Sequence, residues 1–201
     1  MNKVYNTVWN ESTGMWVVTS ELTRKGGRRP RQIRRTALAG LIAGLLLPSA
    51  PALAVDYNNN ILGDEGTPFT MLLNAGDTAT DTTINSGGYQ NVNSGGSATS
   101  TTINREGIQN VNSGGSATST TINSGGYQSV FSGGSATNTT INDGSQWLRD
   151  GATATSTTIN SGGVQAIYSD ASATSTTINS GGKLNVYSGG SAVDITQNSG
   201  G

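Results

Sequence analysis

Ser94 to Val111 reads SGGSATSTTINREGIQNV, and the recurrence of this stretch decides the fold. Its isoleucine belongs to the series Ile84, Ile103, Ile122, Ile141, Ile159 and Ile178, with steps of 19, 19, 19, 18 and 19 residues. A second apolar position trails the first by seven or eight residues, at Val92, Val111, Val130, Leu148, Ile167 and Val186. A fixed period near 20 residues marks a solenoid, in which each unit buries its apolar face only against its neighbours.

Within one unit, β-prone runs alternate with Gly-Gly corners. Ala98 to Ile103 is rich in β-branched residues, which favour strands. Strand alternation places Thr101 and Ile103 on one face and Ser100 and Thr102 on the other. In the second run, Gln90 and Val92 likewise share a face. Two or three short strands per coil, stacked about 4.8 Å apart, predict a right-handed parallel β-helix, all-β throughout. The expected inward ladder is Ala98, Thr101, Ile103 and Val111, repeated in each coil, with Ser and Thr facing out. Departures from the pattern fall at corners: Arg105-Glu106-Gly107, the shortened Asn142-Asp143-Gly144, and Asp170-Ala171. In the last unit Gln197 takes the isoleucine position.

The 201 residues carry a formal net charge of −1, which averages two unlike halves. Eight of the 11 Lys and Arg lie at or before Arg35, whereas from Val55 onward three basic residues face ten acidic ones. That balance does not suit nucleic acid, whose binding rests on Lys and Arg at phosphates. Arg34-Arg35, the apolar run Ala37 to Leu47, and Ala52-Leu53-Ala54 together make a secretory signal, with cleavage expected after Ala54. The apolar run is about half of the ~20 residues a membrane-spanning helix needs. The expected organisation is therefore an extended signal peptide over 1–54, an N-terminal cap over 55–73, and β-helical repeats over 74–201.

Met1 to Arg29 is longer than an export signal requires. Its MNK start, Trp9-Asn10-Glu11, Gly14, Trp16-Val17 and Ser20-Glu21-Leu22 resemble the extended signal region of type V secreted proteins of Gram-negative bacteria. A small folded domain using Trp9 and Trp16 as core is the alternative. The repeat resembles the passenger repeats of AIDA-type self-associating autotransporter adhesins. Ala117 to Gly134 carries the shared motif A-x-x-T-x-I-N-S-G-G-x-Q-x-V-x-S-G-G. The resemblance implies export through the inner membrane and exposure at the cell surface or outer membrane. It also implies cell–cell aggregation, adhesion to host-cell or abiotic surfaces, and biofilm formation. The implied partners are other copies of the chain and the export machinery, with no nucleic acid and no small-molecule substrate. Heptose glycosylation on outward hydroxyls is also implied, with Ser100, Thr102, Ser119, Thr121, Ser156, Thr158, Ser175 and Thr177 as candidates. The translocator barrel of that family has no counterpart in these 201 residues, and the array stops at Gly201 on a corner motif. The expectation is a passenger of such an adhesin, or its N-terminal fragment, acting through lateral contacts between β-helices, with a non-functional truncated remnant as the alternative.

The sequence contains no histidine and no cysteine, which removes the usual nucleophile–base pairs, thiol chemistry and most zinc sites. Polysaccharide cleavage, known on β-helices, needs clustered carboxylates, whereas Asp77, Asp81, Asp143, Asp150, Asp170 and Asp194 are spread along the array. The Gly-Gly pairs are not followed by the Gly-x-Asp of calcium-binding repeats. No catalytic, cofactor-binding or metal-ligating residue is assigned. An ice- or glycan-binding β-helix is the remaining alternative, weakened by serine and asparagine interrupting the threonine grid.

Overall fold

In a computed structural model, residues 5–10, 14–20 and 53–201 are described; the apolar run 37–47 and Ala52 lie outside them. The chain divides into two units, Met1–Pro51 and Ala52–Gly201.

In the first unit, strands Tyr5–Asn10 and Met15–Ser20 pair antiparallel. Trp9 faces Trp16 across the pair, ring centroids 5.5 Å apart and edge to face. The rings are 47% and 68% exposed, so they form a cross-strand pair and not a buried core.

The second unit is a parallel β-solenoid with three faces, built from sheets of eight, seven and eight strands. One coil shows the rule. Ser97–Thr99 lies on the first face, Thr102–Ile103 on the second and Ile108–Val111 on the third. Each strand pairs in parallel with its counterparts one coil above and below, so that Ile84, Ile103 and Ile122 stack in register.

Ala98 to Ile103 is not one run of strand. In a straight strand Ala98 and Ile103, five residues apart, would point to opposite sides. Both are buried here because the chain bends at Ser100, whose φ is +56°. Left-handed backbone recurs at this corner in Asp81, Ser119, Asn138, Ser156, Ser175 and Asp194. Asn and Asp tolerate that conformation best among residues with a side chain, which explains their appearance there. The bend also turns Thr101 inward, where it is 1% exposed.

The other two corners are Asn-Ser-Gly-Gly turns. The first glycine of each pair is left-handed, as in Gly125 at φ +69°. The second lies against the coil beneath: a Cβ at Gly107 would meet the Ile84 carbonyl oxygen at 2.5 Å. The 18-residue step is absorbed at such a corner, where Asp143 at φ +58° does the work of Ser124-Gly125. Register resumes at once, Gln128 opposite Gln146 and Val130 opposite Leu148.

Residues 55–73 form a first coil with a strand in each sheet, Asp56–Asn58, Ile61–Leu62 and Thr70–Leu73. It differs from the repeats by a longer connection between the second and third strands.

The core is a thin apolar stripe. Ile84, Val92, Ile103, Val111, Ile122, Val130, Ile141, Leu148, Ile159 and Ile167 are fully buried, and Ile178 nearly so. Val186 keeps its place in the inward column, opposite Ile167, but is 48% exposed. Lys183–Val186 is the last strand of its sheet, and nothing among the described residues stacks over it.

Between the apolar columns runs a polar one. Gln90, Gln109, Gln128, Gln146 and Gln165 are all 0% exposed. Gln109 Nε2 donates to Gln90 Oε1 at 2.7 Å and to Thr101 Oγ1 at 3.1 Å. Its Oε1 accepts from Gln128 Nε2 at 2.7 Å and from Thr120 Oγ1 at 3.3 Å. Both amide protons and both carbonyl lone pairs are used, which makes a buried amide tolerable. The column is closed at its ends by apolar residues, Met71 opposite Gln90 and Leu184 opposite Gln165.

Candidate interaction surface

What the solenoid offers to a partner is its outer surface, where residues one coil apart repeat at the strand spacing of about 4.8 Å. The hydroxyl candidates fall into two columns rather than one. Ser100, Ser119, Ser156 and Ser175 occupy the left-handed corner, while Thr102, Thr121, Thr158 and Thr177 lie on the second face, partly exposed. The corner bend separates them, so strand alternation alone misplaces the serines.

Asparagines make a second kind of column. Asn104, Asn123, Asn142, Asn160 and Asn179 each donate Nδ2–H to the Oδ1 of the asparagine one coil earlier, at 2.7 to 3.3 Å. A shorter ladder joins Asn112 to Asn93 and Asn93 to Asn74, at 2.9 and 3.1 Å. These ladders hold corners in register and use one N–H and one lone pair of each amide.

The third face changes character along the rod. The position occupied by Asn74, Asn93 and Asn112 becomes Phe131, Arg149, Tyr168 and Tyr187. Tyr127 meets Trp147 edge to face at 5.8 Å, and Tyr168 stacks on Tyr187 at 4.7 Å. The Arg149 guanidinium lies 5.0 Å from the Trp147 ring centre and 5.4 Å from that of Tyr168. The Arg149 Nε is buried without a hydrogen-bond partner, so ring faces provide its nearest compensation. The result is one partly exposed aromatic stripe with a cation at its centre, on an otherwise amide- and hydroxyl-rich surface. Placing Phe131, Arg149, Tyr168 and Tyr187 in one column with Asn112, at the repeat spacing, exposes much of the stripe in the sequence itself.

The aspartates do not gather. Asp81, Asp143, Asp150, Asp170 and Asp194 all adopt left-handed backbone at corners and are exposed. They act as turn formers.

Residues 56–107, 86–126 and 123–163 match the family model described as "Adhesin of bacterial autotransporter system, probable stalk". The chain belongs to this adhesin-stalk family. Residues 1–50 match the "Extended Signal Peptide of Type V secretion system", so the stalk carries that system's export signal across the inner membrane. Over 92 residues, 46% of its length, the chain is 88% identical to the autotransporter CRAC of Citrobacter rodentium. Over the same length it is 74% identical to the autotransporter adhesin/invasin TibA of Escherichia coli O78:H11. The matches span 6% and 9% of those two relatives, so the chain corresponds to a small part of each. A crystal structure of a hyper-glycosylated TibA fragment aligns over 73% of this chain and 95% of its own, at 35% identity and a TM-score of 0.42.

Proposed function

We propose that this chain is an adhesive stalk segment, displayed at the cell surface, that promotes contact between copies and with host-cell or abiotic surfaces. Its role is structural and not catalytic. The supporting observation is the aromatic and cationic stripe of Tyr127, Trp147, Arg149, Tyr168 and Tyr187, set on a rigid, hydrogen-bonded frame. Aromatic rings give large contact area at low entropic cost, and both they and arginine are enriched where protein surfaces bind. Weak contacts of this kind become effective when many rods are presented together. Ser100, Ser119, Ser156 and Ser175, with Thr102, Thr121, Thr158 and Thr177, are the proposed glycan-bearing hydroxyls, supported by the identity with TibA, whose fragment is described as hyper-glycosylated.

We assign 1–54 to the cleaved leader, 55–73 to the capping first coil and 74–201 to the repeats proper. The test displays residues 55–201 on a carrier barrel and follows the settling of the displaying cells. Settling faster than with an empty carrier, and slowed in a Trp147→Ser/Arg149→Ser double variant that is displayed equally well, is the expected result. Settling equal to the empty carrier overturns the assignment.

A further inference from the structure

At the N-terminal end of the solenoid, one acid occupies a place that later coils keep small. The corner residue after Asn93-Ser94-Gly95 is Gly96, and its counterparts are Gly115, Gly134, Ala152, Ala171 and Gly190; in the first repeat it is Asp77. A Cβ at Gly96 would meet the Leu73 carbonyl oxygen at 2.5 Å, one coil below. Asp77 meets no such carbonyl, because the sheet of that face begins at Thr70–Leu73.

The carboxylate stands in for the coil that is not there. The N–H groups of Asn93 and Asn112 donate to the carbonyl oxygens of Leu73 and Val92 at 2.8 Å. The equivalent N–H of Asn74 donates instead to Asp77 Oδ2, also at 2.8 Å. The other oxygen, Oδ1, accepts from the N–H of Val55 at 2.8 Å, while the Val55 carbonyl accepts from Thr78 N–H at 2.9 Å. Asp77 is 8% exposed and is the one acid among the buried described residues. The N–H groups of Asn74 and Val55 hold its carboxyl below the ordinary value of 3.8, against the opposing effect of burial.

Val55 is the residue that the Ala-x-Ala motif places first in the processed chain. We propose that Asp77 is the receptor for the mature amino terminus: hydrolysis of the Ala54–Val55 bond turns the N–H on Asp77 Oδ1 into an α-ammonium, and the ion pair pins the first coil. Water supplies the second oxygen of the Ala54 carboxylate and both of its protons to the Val55 nitrogen, which becomes the α-ammonium; the catalyst is a signal peptidase of the exporting cell. The bond is within reach, since Leu53 is 90% exposed and Ala54 is exposed as well. Cleavage thereby converts a hydrogen bond from a neutral amide into a charge-assisted one. Loss of the leader strengthens the end of the solenoid that it frees. The inference rests on cleavage after Ala54 and is independent of adhesion.

The test uses the protein exported with its own leader and purified from the producing cells. Its N-terminus is sequenced, and reductive methylation of the terminal amine is followed by mass spectrometry between about pH 6 and pH 9, with the exposed Lys183 amine as internal control. The expected result is a start at Val55 and a terminal amine modified about tenfold more slowly near pH 6.5 than in Asp77→Asn, narrowing to about fivefold near pH 8, as follows when its pKa rises one unit above the usual ~7.7–8.0. If Asp77→Asn does not yield folded protein, a free peptide of sequence Val-Asp-Tyr-Asn serves as the reference. A start at another residue, or a profile matching that peptide, overturns the proposal. Cell settling does not enter the measurement, so its failure and that of the adhesive reading are separable.

Discussion

Replacing Gln128 by leucine tests whether the buried amide column holds the coils together or merely fills space. Gln128 Nε2 donates to Gln109 Oε1 at 2.7 Å and to Thr120 Oγ1 at 3.2 Å, and its Oε1 accepts from Gln146 Nε2 at 2.6 Å. Leucine has similar bulk but strands a lone pair on Gln109 and a proton on Gln146, each costing about 1–3 kcal/mol when buried. Gln109 and Gln146 keep threonine partners at 3.3 and 3.1 Å, which favours the lower end of that range. Additional apolar burial returns a part of the loss, at ~25 cal/mol per Å². The net expectation is destabilisation of about 2 kcal/mol. Gln165→Leu breaks one glutamine contact instead of two, because its C-terminal neighbour is already Leu184, but it also leaves the buried Thr176 hydroxyl without its acceptor, so a comparable cost of about 2 kcal/mol is expected. The double variant Gln128→Leu/Gln146→Leu should cost less than the sum of the singles, by about 1 kcal/mol, since both sides of one contact vanish together. Urea unfolding of residues 55–201, followed by far-UV circular dichroism, provides the measurement, with m-values compared because repeat arrays can depart from two-state behaviour. A neutral Gln128→Leu, or strict additivity in the double variant, would refute the reasoning.

Other positions give sharper yes-or-no outcomes. Gly107→Ala drives a Cβ toward the Ile84 carbonyl oxygen, and overpacking of about 1–3 kcal/mol should lower the urea midpoint. At the left-handed Ser119, asparagine should leave stability unchanged or slightly raised, whereas valine should cost about 1–2 kcal/mol in the same assay. Asp77 has a lowered folded-state pKa, so its contribution is present above the unfolded value of 3.8 and fades as pH falls through the folded one. Asp77→Asn should therefore flatten the acid limb of a stability–pH curve while leaving the shape of that curve between about pH 5 and pH 7 unaltered. Arg149→Ser should free the Trp147 ring, shifting its fluorescence emission without changing the circular dichroism of the array.

The solenoid was legible because isoleucine recurs at a nearly constant interval, and stacked coils demand that regularity. The inward turn of Thr101 was legible too, but its cause was not. Alternation explains Thr101 relative to Ile103; only the left-handed bend at Ser100 explains why Ala98 lies inside as well. A left-handed serine has no compositional mark of its own, although the Asp81, Asn138 and Asp194 that share its position hint at one. The glutamine column was within reach, since Gln90 shares a face with Val92 and recurs with it. Polarity hid it, because the expectation that apolar residues fill the interior holds until an amide finds its full set of partners. The aromatic stripe was missed for a different reason: its members are not contiguous in sequence and come together only through stacking of coils.

The amide ladders have a direction. In the glutamine column and in both asparagine ladders, the donor belongs to the later coil and the acceptor to the earlier one. The side-chain dipoles therefore add along the axis instead of cancelling. A rod built this way has a head and a tail of opposite partial charge: protons lead toward the N-terminal end and lone pairs toward the other. Each finished coil presents acceptors to the next one as it emerges, so growth in chain order is templated amide by amide. Side by side, two such rods are distinguishable by orientation.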